Sequence, residues 1–205
     1  MATNKYFLII VLSAIGEISL GQTWANGYYI SGQNDSVLTT IKIPTPLFQG
    51  FDPQRLQHKV KTKIDDSSAF QTFKPSEVKG FGFVYKNERY KFVSITLDDR
   101  RRSFFRMIYS GNHVAGYYSY SIGYRGSSIV AVRKQVDGGE TLLLKSSSMS
   151  KRKIKLKLLD FYKYDSKAKD VIQNYQFSLK NLPESVKILL EKIAETDPEQ
   201  SMASN

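Results

Sequence analysis

Glycine is confined to one side of this chain, and that asymmetry limits its fold more than any other feature. All 13 glycines lie at or before Gly139 of 205 residues. Up to that point, glycine and short polar runs interrupt apolar segments every few residues, the spacing of strands joined by tight turns. Beyond it glycine is absent and apolar residues recur at helical intervals. The chain therefore predicts an antiparallel β-rich body of eight to ten short strands followed by two or three helices. That is an α+β arrangement with segregated elements. A curled sheet covered by the helices, or two sheets, is the preferred architecture. A lipocalin-like barrel with a C-terminal helix is the alternative, since a similar number of strands would suit it.

Individual segments carry this reading. Ser36–Ile43 places Val37, Thr39, Ile41 and Ile43 on one face, an alternation of period two, and Pro44 and Pro46 end it. Leu56 to Ile64 alternates again, with Lys59, Lys61 and Lys63 opposite Val60, Thr62 and Ile64. Lys74 to Gly80 predicts one helical turn, with Pro75 at a first helical position and Gly80 at a C-terminal cap. Phe81 to Tyr85 and Arg89 to Leu97 read as strands around a turn at Lys86-Asn87-Glu88. Hairpins follow around Ser110-Gly111-Asn112 and Asp137-Gly138-Gly139. After Ser146 to Ser150, Ile154, Leu158, Phe161 and Tyr162 fall at helical spacing, although Lys153 to Leu158 alternates equally like a strand. Ser166 to Gln173 predicts a short capped helix. Leu182-Pro183-Glu184 opens the clearest one, with Val186, Leu189, Leu190 and Ile193 on one face.

The first 21 residues stand apart. Met1 to Lys5 carries one positive charge, Tyr6 to Ile15 is an apolar run, and Ser19-Leu20-Gly21 offers small residues at a cleavage site. This is the three-part pattern of a secretory signal peptide. The apolar run is shorter than the roughly 20 residues a membrane-spanning helix needs. The expected organisation is thus a signal peptide over 1–21, a β-rich domain over 22–145, a helical segment packed on it over 146–196, and a flexible polar tail over 197–205. No transmembrane segment is expected in the mature chain.

Charge and cysteine content point to the environment. The chain has no cysteine, so neither disulfides nor a lipid-modified cysteine is available. That suits a bacterial envelope, periplasmic, outer-surface or secreted, better than an animal secretory pathway. The net charge is +11, and Lys5 and Glu17 cancel within the first 21 residues. For an exported protein the natural anions are lipid head groups or acidic polysaccharide, so no nucleic acid is expected.

Four stretches carry a family likeness: Asn26 to Ile30 (NGYYI), Phe73 to Phe83 (FKPSEVKGFGF), Phe104 to Tyr120 (FFRMIYSGNHVAGYYSY), and the helical C-terminal third. In these the chain resembles small exported proteins of unknown function common in Bacteroidota-type bacteria. It departs from them in the prolines between Pro44 and Gly50 and in lacking the C-terminal cysteine of some relatives. The resemblance implies export and a shared fold. It implies no activity and no site residues.

Candidate sites are few. The densest basic region runs from Lys145 to Lys169, and Lys151, Arg152, Lys153, Lys155 and Lys157 within it are the expected contact with an anionic envelope component. The ordinary explanation of such a run is a solvated helix face. Tyr118, Tyr120 and Tyr124 fall on one strand face, with Tyr117 on the other, and form a candidate aromatic binding face. A half-buried sheet face explains them as well. His58 and His113 lack companions for a metal site, and no metal or other cofactor is expected. Asp65, Asp66, Asp98, Asp99 and Glu140 are the carboxylates that a metal-independent hydrolase would have to bring together in space. No nucleophile elbow or phosphate-binding loop accompanies them. The chain therefore reads as a non-enzymatic envelope binding or scaffolding protein, with a small-ligand barrel and that hydrolase as alternatives.

Overall fold

The computed structural model describes residues 23–45, 51–64, 69–98, 101–120, 128–135 and 139–196, with the backbone alone at Asp98 and Tyr120. The expected signal peptide, the polar tail, Asp65, Asp66, Asp99 and Tyr124 lie outside them. Ten strands form in chain order: β1 (Thr23–Ile30), β2 (Ser36–Ile43), β3 (Val60–Lys63), β4 (Gln71–Phe73), β5 (Gly80–Tyr85), β6 (Glu88–Asp98), β7 (Arg101–Ser110), β8 (Val114–Tyr120), β9 (Ser128–Lys134) and β10 (Thr141–Lys145). Three helices follow: α1 (Lys151–Phe161), α2 (Ser166–Asn174) and α3 (Leu182–Glu195).

All the strands join one antiparallel sheet in the order β10-β9-β8-β7-β6-β5-β1-β2-β3-β4. The chain starts in the middle, runs outward to β4, returns to lay β5 beside β1, and runs outward again to β10. Among the described residues the sheet does not close. β4 and β10 remain its edges, so the architecture is an open curled sheet and not the lipocalin-like barrel.

The curl is visible in the aromatic contacts. Phe70 stacks on Trp24 with ring centroids 5.3 Å apart, and Phe73 meets Tyr29 at 4.7 Å. Both partners sit in β1, so the β4 edge folds back over the strand that begins the sheet. Inside this curl lies a core of Ile41, Ile43, Val60, Phe81, Phe83, Phe92 and Phe104. Phe81 stacks on Phe92 at 4.7 Å and meets Phe104 edge-on at 4.9 Å. Such pairs add about 0.5–1.5 kcal/mol to the burial of the rings.

One row of paired residues crosses the sheet on this face: Tyr29, Phe81, Phe92, Arg106, Tyr118, Val130 and Leu144. The half of the row beyond Arg106 is covered by the helices. Val130, Val132 and Leu144 pack there with Ile154, Leu158, Ile172, Leu182, Val186, Leu189 and Leu190. Gly116 of β8 allows α3 to come this close, because a Cβ there would lie 2.9 Å from Leu190 Cδ1. The alternate residues, Phe105, Ala115, Tyr117 and Ala131, form a third cluster with Ile95 on the opposite face.

Two expectations change. Leu56 does not begin a strand. Pro53–Leu56 is a 3₁₀ turn capped by the Asp52 carboxylate, which accepts from Gln54 N at 2.9 Å, and β3 starts only at Val60. One turn does form around Pro75, as a tight link from β4 to β5, but Gly80, expected at a helix C-terminal cap, begins β5 instead. The Glu77 carboxylate accepts from Lys74 N at 2.6 Å, and Glu77 N donates to Lys74 O at 3.0 Å. Lys79 N then donates to Ile30 O at 2.8 Å, which draws the link into the sheet before a second helical turn can form.

Candidate functional site

The expected basic contact falls on α1. Ser150 caps it, accepting from Lys153 N at 3.2 Å. Ile154, Leu158 and Phe161 are buried against the sheet, and this settles the alternation of Lys153 to Leu158 as helix. At 3.6 residues per turn, Leu156 lies opposite that buried stripe. It is 56% exposed, and the basic residues flank it. Lys151, Arg152 and Lys155 lie towards the end of α2, where with Tyr175, Gln176 and Phe177 they border a hollow of about 400 Å³. Lys153 and Lys157 take the other flank.

The five therefore surround the outer side of α1 and do not form a single stripe. Lys151, Arg152 and Lys153 are exposed, while Lys155 and Lys157 are half-buried. Lys155 Nζ donates to Gln173 O at 2.7 Å, close to the C-terminal end of α2, where the helix dipole favours a cation. Among the described residues none of the five forms an ion pair with a carboxylate. Among the described residues these five side chains therefore have no ion-pair partner, and Asp160 is the one acidic residue on the helix.

The aromatic face is placed differently. Tyr118 is 8% exposed and belongs to the core beneath the helices. Its edge reaches a hollow beside Arg106, Lys180 and Lys187 at the start of α3. Tyr120 has only its strand position described, and Tyr124 lies outside the described residues. Among the described residues no exposed tyrosine row forms. Of the carboxylates, Glu140 is described in full, and it faces Lys134 at 3.2 Å. His58 and His113 are exposed. Among the described residues no three His, Asp or Glu side chains converge, and no helix is long and apolar enough to cross a membrane.

The structure also forms a cleft that the sequence did not announce. It has a volume of about 520 Å³ and lies between the β7–β8 hairpin, the link from α1 to α2 and the end of α3. Tyr109, Phe161, Leu190 and Ile193 supply apolar wall, and Lys134, Asp165 and Lys167 supply charge. Two of these charges are already engaged. Lys134 Nζ sits 4.6 Å from the Phe161 ring centroid as well as against Glu140, and the Asp165 carboxylate caps α2 through Ala168 N at 2.9 Å.

Tyr162 lines the cleft, is 9% exposed, and has a buried hydroxyl with no hydrogen-bond partner. Leaving such a group unsatisfied costs about 1–3 kcal/mol. Burial, then the Asp165 carboxylate and Tyr109, push its proton affinity well above that of an ordinary phenol. Burial and the Glu191 charge raise Tyr109 in the same direction. Both rings therefore remain neutral O–H groups across the physiological range. A second basic hollow, of about 170 Å³, lies at the other end of the sheet among Lys42, Arg55, Lys59 and Lys61. The chain matches no protein-family model, no curated protein and no solved structure.

Proposed function

We propose that the protein is exported and acts without catalysis, docking through α1 on an anionic component of the cell envelope. The observation that carries this reading is the grouping of Lys151, Arg152, Lys153, Lys155 and Lys157, without ion-pair partners among the described residues, around an exposed Leu156. A basic helix with one apolar residue at its outermost point suits the boundary between lipid head groups and acyl chains. Acidic polysaccharide would meet the same cations but has no use for the leucine, so lipid head groups are the favoured anion. Each basic residue near an anionic membrane contributes about 1 kcal/mol. Screening limits the reach to about 8 Å at physiological salt, so the contact is close and salt-sensitive. Export rests on the pattern of the first 21 residues and on the likeness to Bacteroidota-type exported proteins.

Co-sedimentation with vesicles containing anionic lipid tests the docking. Wild type should pellet at low salt and be released at high salt. The chain with all five basic residues changed to glutamine should stay in the supernatant, and Leu156→Asp should weaken pelleting with the five cations in place. Equal pelleting by wild type and the five-glutamine chain would reject the reading. Pelleting with acidic polysaccharide but not with vesicles would move the partner to the polymer.

A further inference from the structure

We propose that the hollow at the start of α3 binds a small hydroxyl-bearing anion, with the Arg106 guanidinium gripping its carboxylate or phosphate oxygens. The row of paired residues that crosses the sheet is apolar or aromatic at every position except Arg106. This arginine stands where the aromatic core of the curl gives way to the core beneath the helices. Its guanidinium lies 4.6 Å from the Tyr90 ring centroid. That contact occupies one face of the guanidinium plane and leaves the N–H donors at its edge available. Among the described residues those donors meet no carboxylate and no hydrogen-bond acceptor. They are also open to solvent: the sealed side-chain atoms without partners are Thr62 Oγ1 and the Tyr162 hydroxyl, whereas half-buried Arg106 lines the hollow. An arginine steadied by an aromatic ring, with its fork open, is preorganised for an oxyanion.

The other walls select the rest of the ligand. The hollow has a volume of about 440 Å³, within the range of small-molecule sites. Lys180 and Lys187 join Arg106 there, and Glu184 is the one carboxylate among the lining residues. Lys187 is shared between Glu184 at 3.9 Å and Glu191 at 3.7 Å. Lys180 is exposed and has no ion pair among the described residues. The excess of positive charge calls for an anion, and the planar fork suits a carboxylate or phosphate. Ser128 and Asn181 add polar groups that suit ligand hydroxyls, and the Asn181 side chain is not used as a cap by α3. An acyl chain would find only Met107, Ile108 and Pro183, too little apolar wall for a lipid tail. The site is independent of docking by α1.

Three probes with one body test this: glucuronate, the primary phosphomonoester of glucose, and glucose itself, titrated calorimetrically into the full chain at physiological salt. At least one anion should bind about tenfold more tightly than glucose; binding of both marks a general oxyanion site, and binding of one names the head group. The Arg106 Nε–H resonance should shift on addition of that anion. Arg106→Lys keeps the charge but loses the fork, and should weaken binding about tenfold. Arg106→Met keeps a stem against Tyr90 and should abolish binding. Lys180→Gln, at an exposed position, should weaken binding about threefold with the melting temperature unchanged. Lys59→Gln removes the same charge at the other end of the sheet and should leave binding unchanged. The proposal is overturned if neither anion binds more tightly than glucose, if Arg106→Met or Arg106→Lys binds like wild type, or if Lys59→Gln weakens binding as much as Lys180→Gln, which would mark diffuse charge. Vesicle pelleting should be the same for Arg106→Met and wild type, so that failure of this site and failure of α1 docking are read separately.

Discussion

At Gly27 a methyl group would meet the Gly82 carbonyl oxygen at 2.3 Å, and Ile41 and Phe83 close the remaining space at 3.0 Å. The obstacle is backbone, which cannot turn aside as a side chain can. Gly27 pairs with Thr39 on one side and Phe83 on the other, so a shift loosens two ladders together. Gly27→Ala should destabilise the protein by at least the ~1–3 kcal/mol typical of overpacking, read as a lower urea midpoint. Gly32→Ala is the control. Nothing lies within 4 Å of a Cβ there, so its midpoint should hardly move. The sequence identified Gly27 only as one letter of a motif. Its role depends on β5 lying beside β1, a pairing between segments far apart in the chain.

Helix α1 joins a cap to the proposed docking surface. Ser150 satisfies Lys153 N at the end where three exposed cations crowd together, and no acidic residue occupies the first turn to offset the dipole. Ser150→Ala should cost about 1 kcal/mol of stability. It should also speed amide exchange in the first turn of α1 more than in α3, measured by hydrogen–deuterium exchange. Elements of this kind were legible where a local pattern was unopposed. The alternation over Ser36–Ile43 matches β2, with Ile41 and Ile43 buried. The turn between β5 and β6 uses Lys86 and Asn87, both at positive φ (50° and 64°), as a tight hairpin requires. Reading failed where distant partners competed with local signals. Pro75 and Gly80 carry helix punctuation, yet Glu77 closes the turn on Lys74 and Ile30 takes the next donor. In α2 the cap is Asp165, one residue before the serine expected to serve.

Across the whole molecule, tyrosine links stability to alkaline pH. Tyr90 lies in the curl core, Tyr109 and Tyr162 under the helices, and Tyr117 on the opposite face. Burial raises all four; for Tyr90, with help from the hydrogen bond to Glu88, the value is pushed up to about 12. The folded protein holds these protons more tightly than the unfolded chain, whose phenols release them near pH ~10. The contribution of Tyr90 is complete below that pH and is lost as pH rises through about 12, and the other three act in the same direction. Urea midpoints should fall steadily over this interval, and tyrosinate absorbance should show a late-titrating group of rings. The same long-range assembly hid the cleft from the sequence. Tyr109, Lys134 and Tyr162 come from a hairpin, a later strand and a helix end, and no spacing rule connects them. Tyr162 appeared only as one more apolar position on a helix. The basic run was plain as composition, but the position of Leu156 at its summit required the direction in which α1 faces the sheet. The strand order carries a kinetic consequence as well. Every pairing but one joins strands consecutive in the chain, and the exception is β1 with β5. Two meanders can therefore form locally and quickly, leaving a single loop closure as the slow search. The chain's one tryptophan, Trp24, sits in β1 and stacks on Phe70 beside β4, so its emission times the curling of the first meander, separately from that later search.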